Sequence, residues 1–309
     1  MILTVTLNPA VDISYKLNEF SLDTVNRVND VSKTAGGKGL NVSRVLQQLG
    51  EEVAATGFLG GSLGGFIRCE LFTVGIQDFF EKIQGETRNC IALIHGGQQT
   101  EILESGPVIT EDEAATFLRS FSEYVQKVDI VTISGSLPNG LADDFYEKLI
   151  KIAGSYDVPV LLDTRGELLG KALESAPYLI KPNQDELAGL LGKSLANETD
   201  IIDALESVLF VGIEWVVVTL GSDGALVKNG SYIYRVRAPQ IKAVNPVGSG
   251  DSVIAGFASG MSRGLSGVEL IKFGLAMGVL NAMEEQTGYV NPEKIDWCIK
   301  QINVERIGG

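Results

Sequence analysis

Asn245-Pro246-Val247-Gly248-Ser249-Gly250-Asp251-Ser252 runs directly into residues 253–261, where Val253, Ile254, Phe257, Ala258 and Met261 fall on one face at helical spacing. The stretch predicts a glycine-rich loop opening a buried helix. Backbone N–H groups at a helix start lack intrahelical partners and sit at the positive end of the helix dipole, so such a loop suits an anion. Gly248 and Gly250 let an anion approach the backbone with no Cβ in the way. Asp251 is the loop's single ionisable side chain. A carboxylate in the first turn can accept a proton, so these few residues could hold a transferring phosphoryl group and deprotonate the attacking hydroxyl. A plain capped turn reads equally well from this stretch alone.

Working outward, strand and helix alternate over most of the chain. Strands are expected at 2–7, 53–59, 79–83, 129–134, 159–163, 178–181 and 215–220. Helices are expected at 39–49, 65–74, 110–127, 143–154, from 167, and at 184–191, 201–211, 266–284 and 292–302. Apolar strands separated by helices indicate an α/β fold, a mostly parallel sheet with helices on both faces, whose ligands bind at the carboxyl ends of the strands. Two hairpins interrupt the alternation, one around Asn229-Gly230 and one at 89–104 around Gly96-Gly97. The second, with the extended segment near Asp12, reads as a small β lid.

The chain has 309 residues, 45% of them hydrophobic, enough for a large core. A net charge of −14 argues against nucleic acid and acidic membrane surfaces as partners. Cys69, Cys90 and Cys298 form no pattern of a disulfide framework, and the start of the chain carries no basic leader, so a cytoplasmic protein is expected. His95 is the sole histidine, which disfavours a His-dependent triad or a His-rich metal site.

Three further stretches carry candidate chemistry. Ala35-Gly36-Gly37-Lys38-Gly39-Leu40-Asn41 also opens a helix, and three glycines around one lysine could admit a small polar ligand or make an ordinary turn. It is not a phosphate-binding loop of the Walker type, because Gly39 stands where Ser or Thr is required. Lys181-Pro182-Asn183-Gln184-Asp185-Glu186 ends a strand and opens a helix; Asn183 and Glu186 could order Mg²⁺ through its waters or simply cap that helix. Thr219-Leu220-Gly221-Ser222-Asp223-Gly224 suits a nucleotide or a turn. No dinucleotide fingerprint follows Gly248.

Taken in order, Gly36 to Asn41, Asn183 to Glu186, Thr219 to Gly221 and Gly248 to Asp251, with Asn8-Pro9-Ala10-Val11-Asp12 and Ser134-Gly135-Ser136-Leu137-Pro138, resemble the ribokinase-like (PfkB) carbohydrate kinases over essentially the whole chain. Within that family the chain is similar to the hexose-phosphate branch, although the commoner family form has Thr in place of Pro246 and Ala in place of Ser249. The resemblance implies one ribokinase-like unit, 1–309, with a lid built from segments near 11–34 and 88–105. It implies phosphoryl transfer from Mg-ATP to a ketohexose phosphate, D-tagatose 6-phosphate first, with fructose 1-phosphate as the alternative and a non-catalytic sensor third. Asp251 would be the base, with Gly248, Ser249 and Gly250 the anion hole. Asp12, Gly37 and Asn41 would hold sugar hydroxyls, and Lys38, Arg88, Arg27 and Ser136 the phosphate already on the sugar. Lys181, Asn183, Thr219, Gly221 and Gly224 would line the ATP site, with Glu186 helping to order Mg²⁺ through water. It also implies a homodimer formed through the lid.

Overall fold

Six strands run parallel through the middle of the larger sheet, in the spatial order Val53–Gly60, Ile2–Thr6, Ile130–Ser134, Val160–Asp163, Leu179–Ile180 and Trp215–Thr219. They belong to a computed structural model that describes residues 1–309. Successive side chains point to opposite faces of a strand, so continuous apolar strands must be covered on both. Ile2, Leu161 and Val217 enter one core with the helices Lys38–Gln48, Ser249–Ser262 and Gly267–Ala282. Leu3, Leu162, Val216 and Val218 enter the other, with Glu111–Val125 and Phe145–Gly154.

Short parallel strands Gln77–Asp78 and Glu81–Ile83 extend one edge. At the other edge Ala225–Asn229 and Tyr232–Arg237 form the expected hairpin. The final segment departs from the sequence reading: Pro292–Lys294 and Ile295–Gln301 are helical, and Asn303–Gly308 is a strand antiparallel to Tyr232–Arg237. Its stabilisation is tertiary, with the Arg306 guanidinium 3.8 Å from the centre of the Tyr232 ring.

Two helix starts also differ from expectation because of caps. Asn197 and Asp200 form a capping box, so that helix spans Glu198–Leu205 and is followed by a separate turn, Val208–Phe210. Glu86 accepts from the Ser62 and Leu63 N–H groups at 2.8 and 3.2 Å, which starts Gly61–Thr73 four residues earlier than the apolar pattern indicates. A distant carboxylate of this kind is invisible to local periodicity.

The second sheet has four strands in the order Asp30–Gly36, Ala10–Leu17, Arg88–His95 and Gln98–Leu103. Ala10 follows the carboxyl end of Ile2–Thr6 by three residues, and Gly36 leads straight into the helix Lys38–Gln48, so this sheet hangs over the end of the larger one where ligands bind. Most of its outer strands are exposed. No helix of the chain is long and apolar enough to cross a membrane.

Candidate active site

Gly248 adopts φ +81°, and a Cβ there would stand 2.6 Å from Thr287 Cγ2, so the turn into Ser249–Ser262 requires glycine. Asn281, fully buried, fixes this turn: its Nδ2 donates to the Val247 carbonyl at 2.9 Å, and its Oδ1 accepts from the Gly288 N–H at 2.9 Å and from Ser252 Oγ at 3.1 Å. The N–H groups of Gly250 and Asp251 find no acceptor within the chain. They form the bare amide end of a 14-residue helix.

Asp251 lies in that first turn and is 5% exposed. Asn41 Nδ2, from the other glycine loop and 210 residues away in sequence, donates to Asp251 Oδ2 at 2.7 Å. Burial, reinforced by Asp163 and opposed by Lys38, Asn41 and Lys181, pushes the Asp251 carboxyl up to about 6. Such a group is ionised at neutral pH yet basic enough to take a proton.

Asp163 ends the strand Val160–Asp163 and is almost wholly buried. It holds two cations, Lys38 Nζ at 3.4 Å and Lys181 Nζ at 3.4 Å. Burial works against the Lys38 ammonium, but Asp163, then Asp251 and Glu186, raise its pKa overall. A cation thus stands on each side of Asp163 at the carboxyl end of the sheet.

Toward the four-stranded sheet, Asp12 packs on Gly36, where a Cβ would fall 2.0 Å from Asp12 Cγ. Burial raises Asp12 to about 6 against the pull of Arg44 and Arg88. Arg88 donates through Nη1 to the Glu104 carbonyl at 2.8 Å and through Nη2 to the Asn8 carbonyl at 3.1 Å, while its Nε is buried without a partner. It therefore braces the junction of the two sheets and keeps one donor free. Ser136 is exposed just beyond Ile130–Ser134, after Gly135, whose carbonyl accepts from Tyr146 and Thr164 hydroxyls at 3.1 and 2.9 Å. Gly37 adopts φ +115° at the cap of Lys38–Gln48. Arg27 is exposed in the connection between strands Ala10–Leu17 and Asp30–Gly36 and bonds to none of these groups, so it stands outside the cluster.

On the far side, Asn183 bridges to Thr219 at the ends of adjacent strands. Asn183 and Glu186 form a reciprocal capping box, with Asn183 N donating to Glu186 Oε2 at 2.9 Å and Glu186 N donating to Asn183 Oδ1 at 2.8 Å. Gly221 is exposed and open on all sides. Gly224 is constrained by the protein itself, since a Cβ there would meet the Val236 carbonyl at 2.1 Å. No three His, Cys, Asp or Glu side chains cluster as a metal site.

Sequence reading passed over Asp163 and Asn281, both central to this arrangement. The available signal for Asp163 was its place at the end of a parallel strand; for Asn281 it was a lone polar residue in an otherwise apolar helix, Gly267–Ala282.

The family description "pfkB family carbohydrate kinase" matches residues 5–294. The tagatose-6-phosphate kinases of two Staphylococcus epidermidis strains are each 50% identical to this chain over 307 residues, which is 98% of it and 99% of theirs. Among solved structures, phosphofructokinase-2 from Escherichia coli in complex with potassium has a TM-score of 0.90 at 27% identity, covering 97% of this chain and 98% of that one. A possible 1-phosphofructokinase from Thermotoga maritima has a TM-score of 0.89 at 30% identity over 99% of both chains. The chain therefore belongs to the pfkB family of carbohydrate kinases, a phosphotransferase with an alcohol group as acceptor and ATP as phosphoryl donor.

Proposed function

We propose that the chain transfers the γ-phosphoryl group of ATP to the free terminal hydroxyl of D-tagatose 6-phosphate, giving the 1,6-bisphosphate. The observation that carries the reaction type is the buried Asp251 carboxylate beside the unpartnered amides of Gly250 and Asp251. The observation that favours this ketose is the half-identical relative named for it. Fructose 1-phosphate is the second reading, supported by the 30% identical Thermotoga maritima neighbour.

In this reading Asp251 takes the proton of the attacking hydroxyl, and Asn41 orients its carboxylate. The amides of the 248–250 turn and Lys181 counter charge on the transferring group. Lys38 and the free Nε of Arg88 bind the phosphate the sugar brings, with Ser136 and Arg27 at the rim; Asp12, Gly37 and Asn41 hold hydroxyls. Two anions must approach each other here, and an acidic chain needs such local cations. Asn183, Thr219, Gly221 and Gly224 line the nucleotide side.

Glu186 keeps Oε1 free of protein partners, which fits water-mediated contact with a magnesium ion held chiefly by nucleotide phosphates. When bound, that ion would neutralise phosphate charge. We assign the whole of 1–309 to one catalytic unit in which the four-stranded sheet serves as a lid that excludes water. Its exposed apolar side chains, Val31, Ile102 and Leu103, suit a homodimer through the lid, which light scattering would read as twice the chain mass.

The test is steady-state kinetics with Mg-ATP and tagatose 6-phosphate, fructose 1-phosphate, fructose 6-phosphate and the free ketoses. The highest kcat/KM should fall on tagatose 6-phosphate. A preference for fructose 1-phosphate would move the assignment to the second reading, and a preference for a free ketose would sink both.

A further inference from the structure

We infer that Arg44 is a positioning residue that fixes which way the Asn41 amide faces, and through it the Asp251 carboxylate, while tying both to the root of the four-stranded sheet. The inference rests on the reading of Asp251 as the base.

Arg44 lies one turn after Asn41 on the helix Lys38–Gln48. Its Nη2 donates to Asn41 Oδ1 and, at 3.5 Å, to the Thr287 carbonyl; its Nη1 donates to the Ala35 carbonyl at the end of the strand Asp30–Gly36. An asparagine amide is nearly symmetric in shape, and only its partners decide whether oxygen or nitrogen faces a given neighbour. Guanidinium has donors and no acceptor, so it can bond only the oxygen. With Arg44 on Oδ1, Nδ2 must face Asp251, as it does at 2.7 Å. Were the amide reversed, an oxygen would meet a buried carboxylate.

Three further contacts hold this arrangement in place. A Cβ on Gly288 would come within 3.3 Å of Arg44 Nε and 3.1 Å of Asn41 Cα, so the 287–288 turn presses on both residues. That turn is anchored by Asn281, which also holds Val247 behind the anion loop. Arg44 has no carboxylate within ion-pair distance, and its charge acts on Asp12, Asp251 and Glu70 from further away. Asp251 is also faced by Asp163, Lys38 and Lys181, and Asp12 by Arg88 and Glu101. Removing the Arg44 charge therefore leaves both carboxylates less opposed by cations, so each protonates at higher pH.

The experiment compares wild type, Arg44→Met and Arg44→Lys, each alone and combined with Asp251→Asn, by thermal melting and by kcat and KM from pH 5 to 9 with ATP and tagatose 6-phosphate. Arg44→Met should lower kcat by about 10- to 150-fold, the range of one charge-assisted hydrogen bond, with the KM for ATP little changed. Its acid limb should move to higher pH. Arg44→Lys keeps the charge but cannot span both acceptors, so it should lose kcat with the acid limb in place. In the Asp251→Asn background, Arg44→Met should remove little of the residual activity.

A lowered melting temperature with wild-type kcat and an unmoved acid limb would overturn the inference, as would an equal loss in both backgrounds. Should Arg44→Met fail to fold, unchanged kcat in Arg44→Lys overturns it equally. The base reading is tested apart from this, by Asp251→Asn alone.

Discussion

Residues 36–39 and 248–250 both open helices at the same crevice and meet at the Asn41–Asp251 bond, yet their glycines answer to different neighbours. In the first loop the protein's own atoms exclude side chains: a Cβ on Gly36 would fall 2.0 Å from Asp12 Cγ, and one on Gly39 would fall 2.2 Å from Thr6 Oγ1 and 2.7 Å from the Val5 carbonyl. In the second, Gly248 is needed for its turn, but a Cβ on Gly250 would approach only the end of Lys181, at 3.1 Å from Nζ. Glycine density is thus poor evidence for a ligand, since packing alone explains it in the first loop. What distinguishes the second is a pair of amides with no acceptor beside a buried carboxylate. The first loop contributes side chains, Lys38 and Asn41; the second contributes backbone and the base.

The sharpest way to break this division is Asp251→Asn, which should lower kcat by about 10²–10⁴-fold, the usual worth of a positioned general base. Near-normal turnover in the purified variant would remove the base from the second loop. The same variant should gain stability at high pH. The folded-state pKa of about 6 exceeds the ordinary 3.8, so folding loses stability as pH rises through that window and the ionised carboxylate carries the full penalty above it. Relieving that penalty should stabilise the variant by about 2–3 kcal/mol at most at pH 8. The gain should close below about pH 4. A melting-temperature difference independent of pH would contradict the burial argument.

Local sequence carried much of this architecture. The capping boxes at Thr110–Glu113 and Asn183–Glu186, the alternation of apolar strands with helices and the hairpin around Gly96-Gly97 each occupy a short window. The strand Asn303–Gly308 was not legible, because its pairing with Tyr232–Arg237 depends on residues about 70 positions away and its own pattern is mostly polar. The candidate site divides in the same way. Asp251 and Lys38 stand in recognisable loops, whereas Asp163 matters because two lysines from separate loops converge on it, and Arg44 because of an amide one turn back and a turn 243 residues on. Long-range convergence has no period to read.

The first loop's contribution is sharpened by setting Lys38→Ala against Arg88→Ala. Lys38 is bonded only to Asp163, so its loss should reduce kcat/KM for tagatose 6-phosphate by about 10- to 150-fold while hardly touching a free ketose. Arg88 also braces two backbone carbonyls across the junction of the sheets, so its loss should depress both substrates and lower the melting temperature. Parallel losses for both substrates in Lys38→Ala would remove the phosphate-binding role from that loop.

Alanine at Gly39 and at Gly250 tests the comparison itself, because the two loops predict opposite separations of stability and activity. At Gly39 the added methyl meets the Val5 backbone carbonyl as well as Thr6, and backbone in the central strand cannot swing aside. The expected cost is about 1–3 kcal/mol of stability, as for other overpacked core positions. That corresponds to several degrees in melting temperature for a domain of this size. At Gly250 the methyl meets a flexible ammonium, so stability should stay within about 1 kcal/mol of wild type. Activity should divide the other way. A methyl beside the bare amides, displacing Lys181, obstructs the transferring group, and kcat should fall by about 10- to 100-fold. Gly39→Ala, measured per folded molecule, should keep more of its turnover than Gly250→Ala does. Equal destabilisation in the two variants, or wild-type kcat in Gly250→Ala, would mean that the glycines of the second loop also serve packing alone, and the anion hole would lose its structural basis.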